Sequence, residues 1–284
     1  MVPRFLLCIA LLCGVAVAET PASPWLTRRA DVPAGKVQQS AAPSKLYAYP
    51  FKVWVYTPAG YDPARKMPYD LLVCFDGADY RDGEAIPLPT ILDNLTAAGK
   101  LLPMVALLID NGGGRFRTAQ LANRAGYARA VFEEILPWLH KGWNVTSDPQ
   151  HVIVTGYSAG GLGAAYVAFQ RPDLFGNVLA QSGAFWRGNE ASNAPPYEWL
   201  TEQFRNSPKR PLRFYLEVGA RETAHAVGTG PVFLEANRRL RDVLRAKGYP
   251  MFYKEVPDAR HEVGHWKNAL PDGLLWLAGG WTKP

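Results

Sequence analysis

Val152-Ile153-Val154-Thr155-Gly156-Tyr157-Ser158-Ala159-Gly160-Gly161-Leu162-Gly163 is the stretch on which the reading of this chain turns. Four β-branched residues run into a glycine, and an Ala/Gly-rich segment follows the serine. β-Branched side chains fit a pleated, half-buried or buried strand, and small residues let the following helix lie close to a sheet. Gly156, Ser158 and Gly160 match G-x-S-x-G. That pattern marks a sharp strand-to-helix turn in which a strained serine projects its hydroxyl above the sheet. A glycine-rich turn that merely binds phosphate on its N–H groups has a similar composition. The strand before Ser158 and the helix after it favour the nucleophile.

On either side of this turn, short β-rich runs alternate with helical stretches. Strands are predicted over 47–56, 69–76, 104–110, 151–156, 178–181, 212–218 and 251–256. The runs 71–75 and 105–109 are continuously apolar, as strands buried on both faces of a parallel sheet should be. Helices are predicted over 126–141, 159–170, 231–247 and 267–277, with Pro231 suited to a first turn and Gly248 to a stop. The alternation predicts an α/β chain with a mostly parallel central sheet and helices on both faces; the serine turn makes it the α/β-hydrolase fold. Residues 45–284 read as a single domain, without internal repeat or linker, and 19–44 as an extended, Pro- and Ala-rich lead-in. The stretch 186–211 has weak periodicity and is expected to form a small cap over the sheet edge.

Residues 1–18 read as a signal peptide: Arg4, an apolar run over 5–15, then Ala16-Val17-Ala18 as the cleavage site. The run is shorter than the ~20 apolar residues of a membrane span, so no stable membrane insertion is expected. Leu12 before Cys13 makes a poor lipid-attachment site. A periplasmic or secreted protein is the expectation. Cleavage removes Cys8 and Cys13 and leaves Cys74, so no intramolecular disulfide can form. Stability must then come from the core, and a chain of this size buries roughly 70–75% of its unfolded surface as one domain. The net charge of +6 is spread without a Lys/Arg block, which speaks against nucleic acid as a partner. A mild positive field suits an anionic small molecule.

A serine hydroxyl needs a base oriented by an acid, in the chain order Ser, Asp/Glu, His. Downstream of Ser158 lie His225, His261 and His265. Gly219-Ala220-Arg221-Glu222 is the turn after the strand predicted at 212–218, which makes Glu222 the candidate acid. Glu217 is the alternative, but it falls inside the strand pattern. His261 stands on the loop after the last predicted strand and is the candidate base. Two N–H groups must meet the oxyanion: that of Ala159, next to the nucleophile, and that of Ala78, just past Phe75-Asp76-Gly77. His261-Glu262-Val263-Gly264-His265 also spells H-E-x-x-H. A zinc site of that kind needs both histidines on one helix face and a third ligand. Gly264 and the preceding loop argue against the helix, and Asp272 is the only further acid. No metal and no cofactor are expected; His265 is placed beside the pocket or at a helix start, and His225 on a nearby loop.

Four segments resemble the enterochelin (enterobactin) esterases and the wider esterase D group: Leu71 to Gly77; Val154 to Gly161, continuing through Pro172-Asp173-Leu174-Phe175-Gly176 to Gln181-Ser182-Gly183-Ala184-Phe185-Trp186; Leu216 to Glu222; and His261-Glu262 with Trp266. The resemblance implies a serine carboxylic-ester hydrolase with nucleophile, acid and base at Ser158, Glu222 and His261. It implies a small-molecule ester as substrate, with siderophore ester or lactone bonds cleaved through an acyl-enzyme. Two positions depart from the pattern: Gln120 replaces the acid of an R-x-x-E-L segment, and Ala259-Arg260-His261-Glu262 replaces two glycines, the base and Asp. The chain resembles the compact exported members more than the cytoplasmic ones with an extra N-terminal domain. Arg115, Arg117 and Arg187, with Phe185 and Trp186, are candidates to bind an anionic aromatic substrate by charge and stacking. Three other readings stay open: an acetyl or feruloyl esterase acting on polysaccharide, an acyltransferase of the mycolyltransferase type, and a catalytically silent binding protein.

Overall fold

The computed structural model describes residues 22–81 and 85–281; the signal expected at 1–18 lies outside them. Its strands are β1 Lys36–Ala42, β2 Phe51–Thr57, β3 Asp70–Cys74, β4 Met104–Ile109, β5 Val152–Tyr157, β6 Asn177–Gln181, β7 Arg213–Gly219 and β8 Met251–Val256. The helices are α1 Gly77–Arg81, α2 Leu88–Ala97, α3 Gly114–Leu121, α4 Ala125–Ala130, α5 Leu136–Gly142, α6 Ala159–Gln170, α7 Trp199–Asn206, α8 Phe233–Ala246 and α9 Val263–Ala278.

One sheet takes the order β1-β2-β4-β3-β5-β6-β7-β8. β4 through β8 pair in parallel, and β1 and β2 join by antiparallel ladders. The chain steps from β3 to β4 on one side and then crosses to β5 on the other. The order reverses between β3 and β5, and the carboxyl ends of the strands at such a reversal are where open α/β sheets bind ligands.

Alternation along the strands feeds two hydrophobic layers. Leu71, Val73, Val105, Leu107, Val152 and Val154 face the layer under α3–α8, whereas Leu72, Cys74, Ala106, Leu108 and Ile153 face α1, α2 and α9. Each buried Leu or Val contributes about 1.5–3 kcal/mol. Layers on both faces explain why β3 from Leu71 to Cys74, and β4 throughout, are apolar at consecutive positions.

Three regions differ from the sequence expectations. The lead-in over 19–44 contains β1, a ladder running from Lys36 opposite Thr57 to Ala42 opposite Phe51, with mostly exposed side chains. The helix expected over 126–141 is formed by α4 and α5 joined through a π turn at Val131–Ile135. That wider turn lies just before Pro137, which has no N–H to donate and crowds the carbonyl four residues back. The stretch 186–211 does not cap the sheet: α7 packs into the helical layer, with Phe204 4.8 Å from Phe169 of α6 and 5.6 Å from Phe214 of β7.

Candidate active site

Ser158 sits between β5 and α6 with φ 53° and ψ −117°, a conformation that side-chain-bearing residues rarely adopt. Such strain costs about 1–3 kcal/mol and persists only where neighbours hold it. Here the Ser158 N–H donates to Gln181 O at 2.8 Å, and its carbonyl accepts from Leu162 N at 3.1 Å and Ala184 N at 2.9 Å. Gly156 and Gly160 are glycines because the turn is tight: a Cβ on Gly156 would come within 2.6 Å of the Gly160 backbone, and one on Gly160 within 2.4 Å of Asp76 Oδ2.

The base and acid arrive from the loops after β8 and β7. Glu222 folds back over the turn, its N–H donating to Gly219 O at 3.0 Å while its Oε1 accepts from Gly219 N at 2.8 Å and from the Ser182 hydroxyl at 2.5 Å. Its Oε2 faces His261 Nδ1 at 2.7 Å, and His261 Nε2 faces Ser158 Oγ at 2.9 Å. A carboxylate against Nδ1 keeps the proton there, which leaves Nε2 as the acceptor for the serine proton. The imidazole is braced by Phe233 at 4.5 Å and by Trp266 edge-on at 5.0 Å. Burial alone would push the Glu222 carboxyl up. Hydrogen bonds from His261 and Ser182, with His265 3.7 Å away, outweigh that and hold it at about 2, ionised throughout the neutral range.

Glu217, the alternative acid, is fully buried inside β7 and accepts from Gln181 Nε2 at 2.7 Å. Burial raises its carboxyl to about 8, against the partial relief of the Gln181 bond and the Lys254 charge. His265 is the third residue of α9 and is buried behind Glu222, whereas His225 lies on a loop with Nδ1 at 2.5 Å from Gly230 O. Because α9 begins at Val263, His261 stands outside the helix, and both histidines of H-E-x-x-H approach Glu222. Among the described residues, no cluster of three or more His, Cys, Asp or Glu side chains has a metal-binding arrangement.

Ala159 opens α6, and Ala78 is the second residue of α1, at the carboxyl ends of the paired strands β5 and β3. First-turn N–H groups lack intrahelical acceptors, so both alanines have a donor to offer. Between these helix starts, Arg117 grips the buried Asp76 with Nε at 2.5 Å and Nη2 at 2.7 Å, and donates to Tyr157 O at 2.9 Å. The guanidinium predicted to bind substrate is thus committed to the frame of the serine turn. Asn111 completes that frame. Its Oδ1 accepts from Asp76 N at 2.9 Å, and its Nδ2 donates to Gln120 Oε1 at 2.8 Å and Tyr127 Oη at 2.6 Å.

Of the predicted binding residues, Trp186 is 4% exposed, with its ring under Arg187 at 4.5 Å and against Phe233. It supports the site and offers no open face for stacking; Phe185 is fully buried. Arg187 is different. It bonds to Asn193 and has no carboxylate partner among the described residues, and burial, together with the charge of Arg117, depresses its pKa. An incompletely compensated cation of that kind attracts an anion. Ser182, Asn111 and Phe233 were not singled out in the sequence; Ser182 lay within a family segment, but nothing local to it signalled its bond to Glu222. A separate cavity of about 760 Å³ opens at the other end of the sheet, between Pro149, Asn177, Arg213 and Trp281, and includes none of these groups.

A family model described as "Putative esterase" matches residues 44–277. The iron(III) enterobactin esterase of Dickeya dadantii is 32% identical over 238 residues, which cover 81% of this chain and 52% of that protein. That of Escherichia coli is 30% identical over 231 residues, covering 80% and 53%. The chain therefore spans about half the length of the curated relatives it matches. The structure of the Shigella flexneri enterobactin esterase in the presence of enterobactin superposes with a TM-score of 0.77 at 27% identity, covering 92% of this chain and 63% of that one. A ferulic acid esterase from Anaeromyces mucronatus shares the fold at a TM-score of 0.69 and 19% identity, covering 90% and 94%.

Proposed function

Because the chain belongs to this esterase family and holds Ser158, His261 and Glu222 in one hydrogen-bonded line, we propose that it is a serine carboxylic-ester hydrolase working through an acyl-enzyme. His261 Nε2 takes the Ser158 proton as Oγ attacks the ester carbonyl. The N–H groups of Ala159 and Ala78 stabilise the oxyanion. The protonated His261 then gives its proton to the departing alkoxide oxygen, leaving an acyl-serine. A water deprotonated by His261 attacks that ester, and collapse returns the proton to Oγ and frees the acid. Glu222 stays ionised and stabilises the imidazolium formed in each half.

The substrate class that the site supports best is an anionic aromatic ester, and a catecholate siderophore ester has that chemistry. Arg187, a partly buried cation without a carboxylate partner among the described residues, carries this choice. The enterobactin esterases among the relatives point the same way. Export is the matching location, supported by the sequence pattern over 1–18; no described helix is long and apolar enough to cross a membrane. Detection of the protein in periplasm or medium, with the first 18 residues removed, is the expected fractionation result.

The deciding experiment is hydrolysis of p-nitrophenyl acetate by samples treated with a fluorophosphonate or with a chelator, alongside Ser158→Ala. Loss with the fluorophosphonate and in Ser158→Ala, but not with the chelator, is expected. Undiminished turnover by Ser158→Ala would remove the serine from the mechanism. Parallel assays with iron(III) enterobactin and methyl ferulate then test the substrate class, and a clear preference for the ferulate would overturn the siderophore assignment.

A further inference from the structure

Behind Glu222 lies a buried layer of polar groups that the acyl-transfer scheme does not use. Ser182 follows β6 with φ 46°, and its N–H donates to Glu217 O at 2.7 Å. Its hydroxyl donates to Glu222 Oε1 at 2.5 Å and accepts from Trp266 Nε1 at 2.8 Å. His265 Nε2 lies 3.4 Å from the same hydroxyl and 3.7 Å from Glu222 Oε1, and its Nδ1 lies 3.7 Å from Glu217 Oε1. Ser182 and Glu217 are fully buried, and Glu222 and His265 nearly so. In that enclosure His265 Nδ1 and Glu217 Oε2 have no hydrogen-bond partner. A buried polar atom left unpaired is destabilising by about 1–3 kcal/mol, so a histidine and a carboxyl facing each other here call for a shared purpose.

Counting hydrogens assigns the roles. Ser182 has one hydroxyl proton and gives it to Glu222, so His265 Nε2 approaches the serine oxygen as a donor. Nδ1 then faces Glu217 Oε1 at 3.7 Å, beyond a direct hydrogen bond, and a protonated Glu217 spares that enclosure a second buried carboxylate charge. Burial that lifts the Glu217 carboxyl to about 8 supplies that state at neutral pH. The other charged and titratable groups around the pair are Lys254 of β8 and Asp272 of α9, themselves 3.4 Å apart, Glu222 and His261 on the site side, and Tyr80 of α1.

We propose that His265 is a positioning residue of the esterase site: set between the buried Glu217 and the Ser182 hydroxyl, it fixes the direction in which Ser182 donates and so keeps Glu222 Oε2 turned to His261. The inference rests on the triad reading given under Proposed function. Loss of His265 leaves Ser182 and Glu222 free to reorient, and a less well-directed carboxylate stabilises the His261 imidazolium less. The imidazolium is then less favoured, and turnover rises at a lower pH.

The test is the pH dependence of p-nitrophenyl acetate hydrolysis by the full chain as wild type, His265→Phe, His265→Gln and Ser158→Ala, with folding checked by circular dichroism and thermal melting. In His265→Phe, kcat falls about 10-fold with KM little changed, and the acidic limb of the kcat profile moves down by about half a pH unit. His265→Gln, whose amide N–H still reaches toward Ser182, recovers most of both. A folded His265→Phe with wild-type kcat and limb would overturn the proposal. So would an equal loss in both variants with the limb unmoved, which marks a purely structural role. Should His265→Phe not fold, the glutamine variant decides alone: near-wild-type kcat and limb support the donor role, and a large loss with an unmoved limb overturns it. Continued turnover by Ser158→Ala would instead defeat the serine-esterase reading, so the two failures are distinguishable.

Discussion

Glu217 and Glu222 stand at the two ends of one strand-to-turn segment, and the structure sets them in opposite protonation states. Glu217 points from β7 into the sheet interior, with a single side-chain amide on one oxygen and none on the other, and its carboxyl rises to about 8. Glu222, also buried, lies where the turn presents donors, receiving Gly219 N, the Ser182 hydroxyl and His261 Nδ1, and its carboxyl falls to about 2. Burial is common to both. The number and direction of donors decide which one ionises. A base that must become imidazolium needs the ionised one beside it, which is why the turn residue, and not the strand residue, can serve His261.

The sharpest way to break this contrast is Glu222→Gln. The amide cannot reliably accept from His261 Nδ1, so the imidazole loses both its tautomer and its countercharge. A fall in kcat of at least ~10³-fold with KM little changed is expected in ester hydrolysis assays. Asp76 extends the comparison to a third buried carboxylate, one satisfied by a paired cation as well as by its position. Arg117→Ala leaves that carboxylate uncompensated beneath the serine turn. Urea denaturation should show a loss of about 3 kcal/mol, with activity lost in proportion to misplacement of Ser158. A change below ~1 kcal/mol would mean that Asp76 takes up a proton and is satisfied without the ion pair.

What the sequence discloses follows the range of the interactions concerned. The serine turn is local: its strand, glycines and helix follow one another without a break, and the structure reproduces them from Val152 to Gln170. The two-face apolar strands β3 and β4 are equally legible, because burial on both sides writes itself into consecutive residues. β1 escapes this reading. Lys36, Gln38, Gln39 and Ser40 carry no apolar alternation, and only the ladder to β2 makes them a strand. α3, Gly-Arg-Phe-Arg-Thr-Ala-Gln-Leu, has no continuous apolar stripe and was missed for a similar reason. In the site, Ser158, Glu222 and His261 were reachable from chain order. The bonds of Arg117 to Asp76 and of Ser182 to Glu222 were not, since neither pair belongs to the chain-order pattern and they are separated by 41 and 40 residues.

The smaller effect lies with Glu217, and it is visible in stability. An unfolded glutamate loses its proton near pH 4.5, whereas folded Glu217 keeps its proton up to about pH 8. Across that window the folded chain binds the extra proton, so the stability contributed by this group is present below pH 4.5 and is lost as pH rises toward 8. Glu222 works in the opposite sense: held at about 2, it contributes above pH 4.5 and loses that contribution as the solution is acidified toward 2. Glu217→Gln replaces the neutral acid by a neutral amide of the same shape and removes the first dependence only. The variant should be more stable than the wild type by up to about 3 kcal/mol at pH 7, with the gain fading toward pH 4.5 and the acid-side loss unchanged. Thermal melts at a series of pH values give the answer. A constant offset at every pH would show that Glu217 titrates in the folded chain as it does in the unfolded one.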